Sequence, residues 1–304
     1  MRLRRWVGTT GIVLLAIVCL LLFVAGPLLL SAAVVNRRFQ FPDPLLGKTP
    51  GDFAIPYDEI SFAGAGSPTL RGWYIPGQPG RATVIFSHGL NRSRVEMLPQ
   101  AQFVHSLGLS ALLFDLRHHG KSGGDKTTLG AREKDDVLAA IDWVKAKQPD
   151  SHIVLWGISM GAASAMLAAA QNPSTDAVIC DSSYLSFSDT INHHFRLFFR
   201  LPPWPIATET AMLLQWRGGF KADEIDIAEA TRRMANRPVL FVGQSGDRRV
   251  PAEVARRLFE ISTSPNKRLL IFSGRRHGHA YGDHVEQYQE AVREFLSVAE
   301  ILSH

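Results

Sequence analysis

Residues 153–161 read Ile153-Val154-Leu155-Trp156-Gly157-Ile158-Ser159-Met160-Gly161, and Ala162-Ala163-Ser164-Ala165-Met166-Leu167 follow directly. The first segment is apolar and rich in β-branched residues, which favours a buried strand, whereas the alanine-rich continuation favours a helix. Because no linker separates the two, the Gly-x-Ser-x-Gly segment must form a sharp turn between strand and helix.

A serine at such a turn needs small neighbours. Its backbone is strained, and side chains two positions away would collide with the adjacent strand and helix, so Gly157 and Gly161 remove those collisions. The helix that begins after Ser159 points N–H groups toward the space in front of the serine, where they stabilise a negatively charged oxygen. The alternative is a chance pentapeptide in an ordinary turn, which the flanking strand and helix argue against.

This arrangement resembles the α/β-hydrolase superfamily. The resemblance covers roughly residues 57–300 and is closest to exported or membrane-anchored hydrolases of the prolyl-oligopeptidase-like and serine-aminopeptidase-like branches. It implies an α/β-hydrolase fold, a mostly parallel central sheet flanked by helices, with Ser159 as the nucleophile.

The rest of the chain fits a sheet of this kind. Strand patterns at 59–62 and 70–75 predict an antiparallel start. Strands and helices then alternate, which predicts a mostly parallel sheet covered on both faces. Beside the strand and helix around Ser159, the later strands are predicted at 82–87, 111–115, 177–181, 238–243 and 268–272, and the helices at 94–107, 130–147, 251–260 and 284–301.

The alternation stops over residues 182–236, a segment far longer than an ordinary connection. We expect it to form a small cap over the site. Its aromatic residues indicate an apolar pocket beneath the cap: Phe195, Phe198, Phe199, Trp204 and Trp216.

The N-terminal segment predicts a membrane anchor. No charged side chain occurs from Trp6 to Val35, and about 20 apolar residues suffice to cross a bilayer core. A cleavable signal segment is the alternative, since Ser31-Ala32-Ala33 offers small residues to a peptidase. Three arginines precede the span and two, Arg37 and Arg38, follow it, which favours a cytoplasmic N-terminus and an extracytoplasmic catalytic domain.

The chain thus divides into three parts. Residues 1–38 form the anchor or signal segment, the proline-containing stretch 39–55 reads as an extended linker, and 56–304 is the hydrolase domain with its cap at about 182–236. About 265 residues remain after the N-terminal segment, enough for one large domain with a buried core.

Composition narrows the possible partners. The net charge is +5, and the arginines are scattered as pairs, whereas a nucleic-acid surface shows a basic stripe with interleaved aromatics. We therefore expect no nucleic-acid partner. The two cysteines, Cys19 and Cys180, support neither a disulfide framework nor a cysteine zinc site.

The resemblance also implies the partners of Ser159, in the chain order serine, acid, histidine. Asp247 follows a late strand at the position of the acid, although an aspartate there could simply form a turn or cap a helix. Asp181 is the alternative acid, because some relatives carry the carboxylate at that strand end.

Two histidines on one loop compete for the role of base. Relatives often place tyrosines four and eleven positions after the histidine, and Tyr281 and Tyr288 stand in that register to His277. His279 is the alternative. If His277 is the base, its Nε2 takes the Ser159 proton while the acid holds the other ring nitrogen.

Acyl transfer also needs two N–H donors for the oxyanion. We expect one from Met160, directly after the nucleophile, and one from Leu90, in the turn His88-Gly89-Leu90 that follows an earlier strand. His88 is expected to hold that turn in shape.

These residues predict a serine hydrolase that forms an acyl-enzyme, most simply a carboxylesterase acting on a small-molecule ester or acyl substrate. No metal or organic cofactor is implied. A peptidase or acyltransferase with the same residues is the nearest alternative, and a non-catalytic ligand-binding protein on the same fold is another.

Overall fold

The structure is a computed structural model that describes residues 2–36, 38–64, 66–200 and 202–302. Its centre is an eight-stranded sheet in the order β1-β2-β4-β3-β5-β6-β7-β8. The strands are β1 (Asp58–Phe62), β2 (Leu70–Ile75), β3 (Thr83–Ser87), β4 (Ser110–Phe114), β5 (Ile153–Ile158), β6 (Thr175–Asp181), β7 (Val239–Gln244) and β8 (Lys267–Phe272).

The sheet confirms the predicted architecture. β1 pairs antiparallel with β2 and β2 with β4, and every other pairing is parallel. The register pairs Ser87 with Gly157, and Ile158 with Asp181. The carboxyl ends of β3, β5 and β6 therefore meet at one edge of the sheet, where ligands bind in folds of this kind.

Helices cover both faces of the sheet. α3 (Leu98–Ser106) and α11 (Val285–Val298) bury apolar side chains against one face. The other face carries α4 (Glu133–Lys147), α5 (Met160–Ala169), α8 (Ile227–Arg233) and α9 (Ala252–Ile261). A short helix, α10 (Ala280–Asp283), precedes α11.

α4 begins at Glu133 and not at residue 130 as predicted. Leu129 and Gly130 have φ angles of 55° and 109°, which a right-handed helix does not contain. The Glu133 carboxylate accepts the backbone N–H groups of Thr128 and Gly130, both at 2.7 Å. The turn is thus fixed by side-chain acceptors, and the helix starts after it.

The predicted cap over residues 182–236 is helical. It contains α6 (Phe187–Phe199), α7 (Ile206–Gly218), a short 3-10 turn at Ala222–Glu224, and α8. α6 is strongly amphipathic, and Phe187 and Phe195 on its apolar face are buried. Leu201 lies outside the described residues.

The N-terminal helix has one membrane-length apolar segment. α1 (Arg2–Leu20) continues through a π-helical turn at Leu21–Ala25 into α2 (Gly26–Val35), and residues Thr10–Val35 are long and apolar enough to cross a bilayer. A signal sequence would meet the same criterion. Met1 and Arg37 lie outside the described residues.

The last turns of this helix contact the hydrolase domain. Pro27, Ser31 and Val35 on α2 are buried, and α2 packs along α7 of the cap. Residues 39–55, predicted as an extended linker, contain a 3-10 turn at Pro50–Phe53 and also contact the domain, where the Phe41 N–H donates to the Asn91 carbonyl at 2.8 Å.

The turn after β5 brings two segments of backbone very close together. Ser159 has φ 55° and ψ −117°, a strained conformation for a residue with a side chain. A Cβ atom at Gly161 would overlap the carbonyl oxygen of Ser87 at the end of β3, and one at Gly157 would overlap the backbone of Gly161. The turn therefore exists only with glycine on both sides.

We expect Gly161→Ala to lower the free energy of unfolding by about 1–3 kcal/mol, because β3 must move to accept the added methyl group. Gly282→Ala is the matched control, since a Cβ there meets no atom within 4 Å. Urea unfolding of both variants in detergent measures the difference. Equal stabilities would show that the close approach at Gly161 does not constrain the fold.

Candidate active site

Three side chains from distant parts of the chain form one hydrogen-bonded row. His277 Nε2 lies 2.8 Å from Ser159 Oγ, and His277 Nδ1 lies 2.7 Å from Asp247 Oδ2. A carboxylate accepts hydrogen bonds, so Nδ1 carries the proton and Nε2 is free to accept the serine proton. The row has the geometry of a nucleophile, a base and an orienting acid.

Asp247 is held in place from its other side. Its Oδ1 accepts the backbone N–H groups of Arg249 at 2.8 Å and Val250 at 3.1 Å. The side chain is 1% exposed, whereas that of His277 is 15% exposed. The aspartate is thus fixed inside the loop after β7, while the imidazole faces the open side of the site.

The two alternative residues lie elsewhere. Asp181 is buried, and its carboxylate accepts hydrogen bonds from the hydroxyl groups of Tyr288 at 2.9 Å and Ser182 at 2.7 Å, while His277 donates to Asp247. Burial raises the pKa of Asp181. His279 does not line the cavity that contains Ser159; it borders a second depression, which Asp247 and His277 also line, and burial lowers its pKa.

The two expected oxyanion donors border the same cavity as Ser159. Leu90 and Met160 both line it. Met160 is the first residue of α5, so its N–H has no acceptor inside the helix. Among the described residues, no turn or loop acceptor takes the Leu90 N–H. Both groups are thus free to bind an oxygen in the cavity.

His88 fixes the turn that carries Leu90. Its Nε2 accepts the Leu116 N–H at 3.0 Å, which leaves Nδ1 to donate to the Gly89 carbonyl at 2.8 Å. Burial lowers the pKa of His88 to about 3, so the ring stays neutral. It ties the turns after β3 and β4 together through these two hydrogen bonds.

Glu96 supports the same turn and was not predicted from the sequence. Its Oε2 accepts the Gly89 N–H at 2.7 Å, and its Oε1 pairs with Arg92 Nε at 3.2 Å. Burial raises the pKa of Glu96 to about 7, against the effects of Gly89 and Arg92. The sequence around Glu96 shows only a helical pattern. It does not indicate the contact with Gly89, which forms only when the turn after β3 folds back toward Glu96.

A cavity of about 370 Å³ opens in front of Ser159. Phe195, Phe198 and Phe199 of the cap line it, as the aromatic content of the cap predicted, whereas Trp204 and Trp216 do not. The sequence did not predict that Leu30 and Val34 of the N-terminal helix also line it. Among the described residues, no group of three or more His, Cys, Asp and Glu side chains is placed to bind a metal ion.

The strand order, the strained serine turn and the cap define an α/β-hydrolase. The family described as serine aminopeptidase, S33, matches residues 78–217. The protein YqkD of Bacillus subtilis (strain 168) is 30% identical over 230 residues, 75% of each chain. The protein YfhR of Salmonella typhimurium (strain LT2) is 24% identical over 315 residues and 97% of each chain.

A solved structure extends the similarity to three dimensions. The esterase PF2001 of Pyrococcus furiosus is 26% identical, with a TM-score of 0.72 over 86% of this chain and 98% of that chain. The chain belongs to the α/β-hydrolase superfamily, in the serine-aminopeptidase-like branch, and is a hydrolase of the esterase or peptidase type.

The raised pKa of Glu96 makes stability depend on pH. Between pH 4.5 and about pH 7 the Glu96 carboxyl group holds its proton in the folded chain but has lost it in the unfolded chain, where its pKa is near 4.5. This group therefore lowers stability as the pH rises from about 4.5 to about 7, by on the order of 3 kcal/mol. We expect Glu96→Gln, which keeps an acceptor for Gly89, to remove that part of the slope.

Chemical unfolding of wild type and Glu96→Gln across this pH range measures the difference. Asp136 and Asp181 also have raised pKa values, so only the difference between the two proteins reports on Glu96. Identical slopes would show that folding does not shift the pKa of Glu96.

Proposed function

We propose that this protein is a serine hydrolase of the carboxylesterase type, with Ser159 as nucleophile, His277 as base and Asp247 as orienting acid. The observation that carries the proposal is the continuous row of hydrogen bonds at 2.8 and 2.7 Å. Four further features agree with it: the strained φ at Ser159, the free N–H groups, the cavity, and the superfamily.

In this mechanism Ser159 attacks the ester carbonyl while His277 Nε2 takes the hydroxyl proton. Leu90 and Met160 donate their N–H groups to the oxyanion. The ester C–O bond then breaks, and the imidazolium returns the proton to the leaving alcohol. A water molecule, deprotonated by His277, attacks the acyl-enzyme and releases the acid with Ser159 restored.

The character of the cavity favours an ester over a peptide with a free N-terminus. An aminopeptidase must bind the substrate ammonium group, which requires an available carboxylate. Glu96 is the only Asp or Glu among the described residues that line the cavity, and it already binds Gly89 and Arg92. The esterase activity named for PF2001 of Pyrococcus furiosus supports the same choice.

The proposal includes a place in the cell. The N-terminal helix anchors the chain in the membrane as a single span, and the domain of residues 56–304 lies on the extracytoplasmic side. Three arginines before the span and two after it support this orientation. The small-molecule ester and the membrane are the proposed partners.

A fluorophosphonate probe should label wild-type protein at Ser159 and leave Ser159→Ala unlabelled. We expect His277→Ala to reduce turnover of p-nitrophenyl acetate by about 10⁴-fold or more, because among the described side chains His277 alone is hydrogen-bonded to the Ser159 hydroxyl group. His279→Ala is the matched control and should stay within about threefold of wild type, about 0.7 kcal/mol in the barrier.

Equal losses in the two histidine variants, with both proteins folded, would contradict the assignment of the base. Turnover of aminoacyl amides faster than that of esters would favour a peptidase, and transfer to an added alcohol in preference to water would favour an acyltransferase. Retention of ligand binding without labelling of wild type would indicate a non-catalytic protein.

A further inference from the structure

The N-terminal helix reaches the candidate active site itself. Leu30 and Val34 line the same cavity as Ser159. Two hydrogen bonds hold the end of the helix there: Arg217 Nε donates to Ser31 Oγ at 3.1 Å, and the Thr127 N–H donates to the Val35 carbonyl at 3.0 Å. The end of the membrane-length helix thus forms part of the cavity wall and is hydrogen-bonded to the domain.

The length of the helix sets the height of the cavity above the bilayer. Thr10–Val35 has 26 residues, and about 20 helical residues cross a hydrocarbon core of about 30 Å. Residues 10–29 supply that length, and all side chains from 10 to 24 are exposed. Leu30, the next residue, already lines the cavity. A span over residues 10–29 would therefore put the cavity at the boundary between lipid and water.

Five exposed apolar side chains lie on the two cap helices α6 and α7 and on the segment that joins them. We call these residues the apolar rim: Phe198, Phe199, Trp204, Met212 and Trp216. Trp204 is 77% exposed and Trp216 is 73% exposed. Exposed tryptophans are costly in water but are favoured at the headgroup level of membranes, where the indole N–H meets water and the ring meets lipid.

The apolar rim adjoins the N-terminal helix through α7. Met212 and Trp216 belong to α7, the helix that packs along α2. Among the described side chains, every exposed Phe or Trp lies in the N-terminal helix, in residues 38–55 or in the rim. The exposed aromatic side chains are thus concentrated in these three segments, and the exposed Arg196 and Arg200 at the end of α6 add positive charge beside Phe198 and Phe199.

We infer that the apolar rim lies in the bilayer surface and that the substrate is a membrane-resident acyl lipid, which passes from the bilayer into the cavity beside Leu30 and Phe198. This inference rests on the proposed function and adds the substrate class and its route. Phe198 and Phe199 are both exposed and part of the cavity lining. An acyl chain therefore meets apolar surface from the lipid to the serine.

The first test locates the rim by fluorescence. Full-length protein is reconstituted in phosphatidylcholine vesicles that contain lipid brominated near the headgroup, and tryptophan quenching is compared between wild type and Trp204→Phe/Trp216→Phe. Trp6 remains in both proteins, so the difference reports on the rim. We expect the wild type to lose more emission. Equal fractional quenching would place the rim in water or against a second copy of the chain.

The second test follows the route to Ser159 by the rate of covalent labelling in the same vesicles. The Trp204→Gln/Trp216→Gln variant should react about tenfold more slowly than wild type with a long-chain alkyl fluorophosphonate dissolved in the bilayer, a change of about 1.4 kcal/mol. Its rate with a short, water-soluble fluorophosphonate should stay within about twofold, since neither tryptophan lines the cavity.

Val285→Asn/Val298→Asn is the matched control, because both valines are exposed on α11 and do not line the cavity. It should leave both rates unchanged. Equal slowing with both probes in the rim variant, or equal slowing in the control, would overturn the inference. If neither probe labels wild type, the proposed function fails, and the quenching experiment still decides where the rim lies.

Discussion

The structure depends on the close approach of the β5 turn to the end of β3. The Ser87 carbonyl occupies the space where residue 161 would carry a side chain, so the chain must turn sharply and hold Ser159 at φ 55°. This contact places the start of α5 next to the turn at Gly89. Leu90 and Met160 therefore line one cavity, because the two backbone segments meet where no side chain fits.

Around that contact, several buried charged and polar side chains form hydrogen bonds to the backbone of turns. Glu96 and His88 bind the turn after β3, and Glu133 binds the turn before α4. Asp181 holds Tyr288, which stacks on Trp156 of β5 with ring centroids 5.8 Å apart. Preorganised donors stabilise developing charge only when they cannot relax, so in the proposed mechanism these buried groups would support the chemistry by holding the backbone in place.

The proposed membrane arrangement gives the N-terminal helix a second role. An anchor joined through a flexible linker would leave the domain free to tumble, whereas α2 contributes Leu30 and Val34 to the cavity and Ser31 to a hydrogen bond with Arg217. Removal of the helix would therefore expose the cavity as well as release the protein. Anchoring and substrate access are then properties of one element.

The sequence by itself determined the sheet, the turn at Ser159 and the order of the elements, because β-branched runs, alanine-rich helices and glycine spacing act between near neighbours. It left open His277 or His279 and Asp247 or Asp181. Only the tertiary structure separates these pairs, since His277 and Ser159 lie 118 positions apart and meet through the strand order. The contribution of Leu30 to the cavity could not be predicted either, because a helix that is apolar on all sides does not indicate which face packs against the domain.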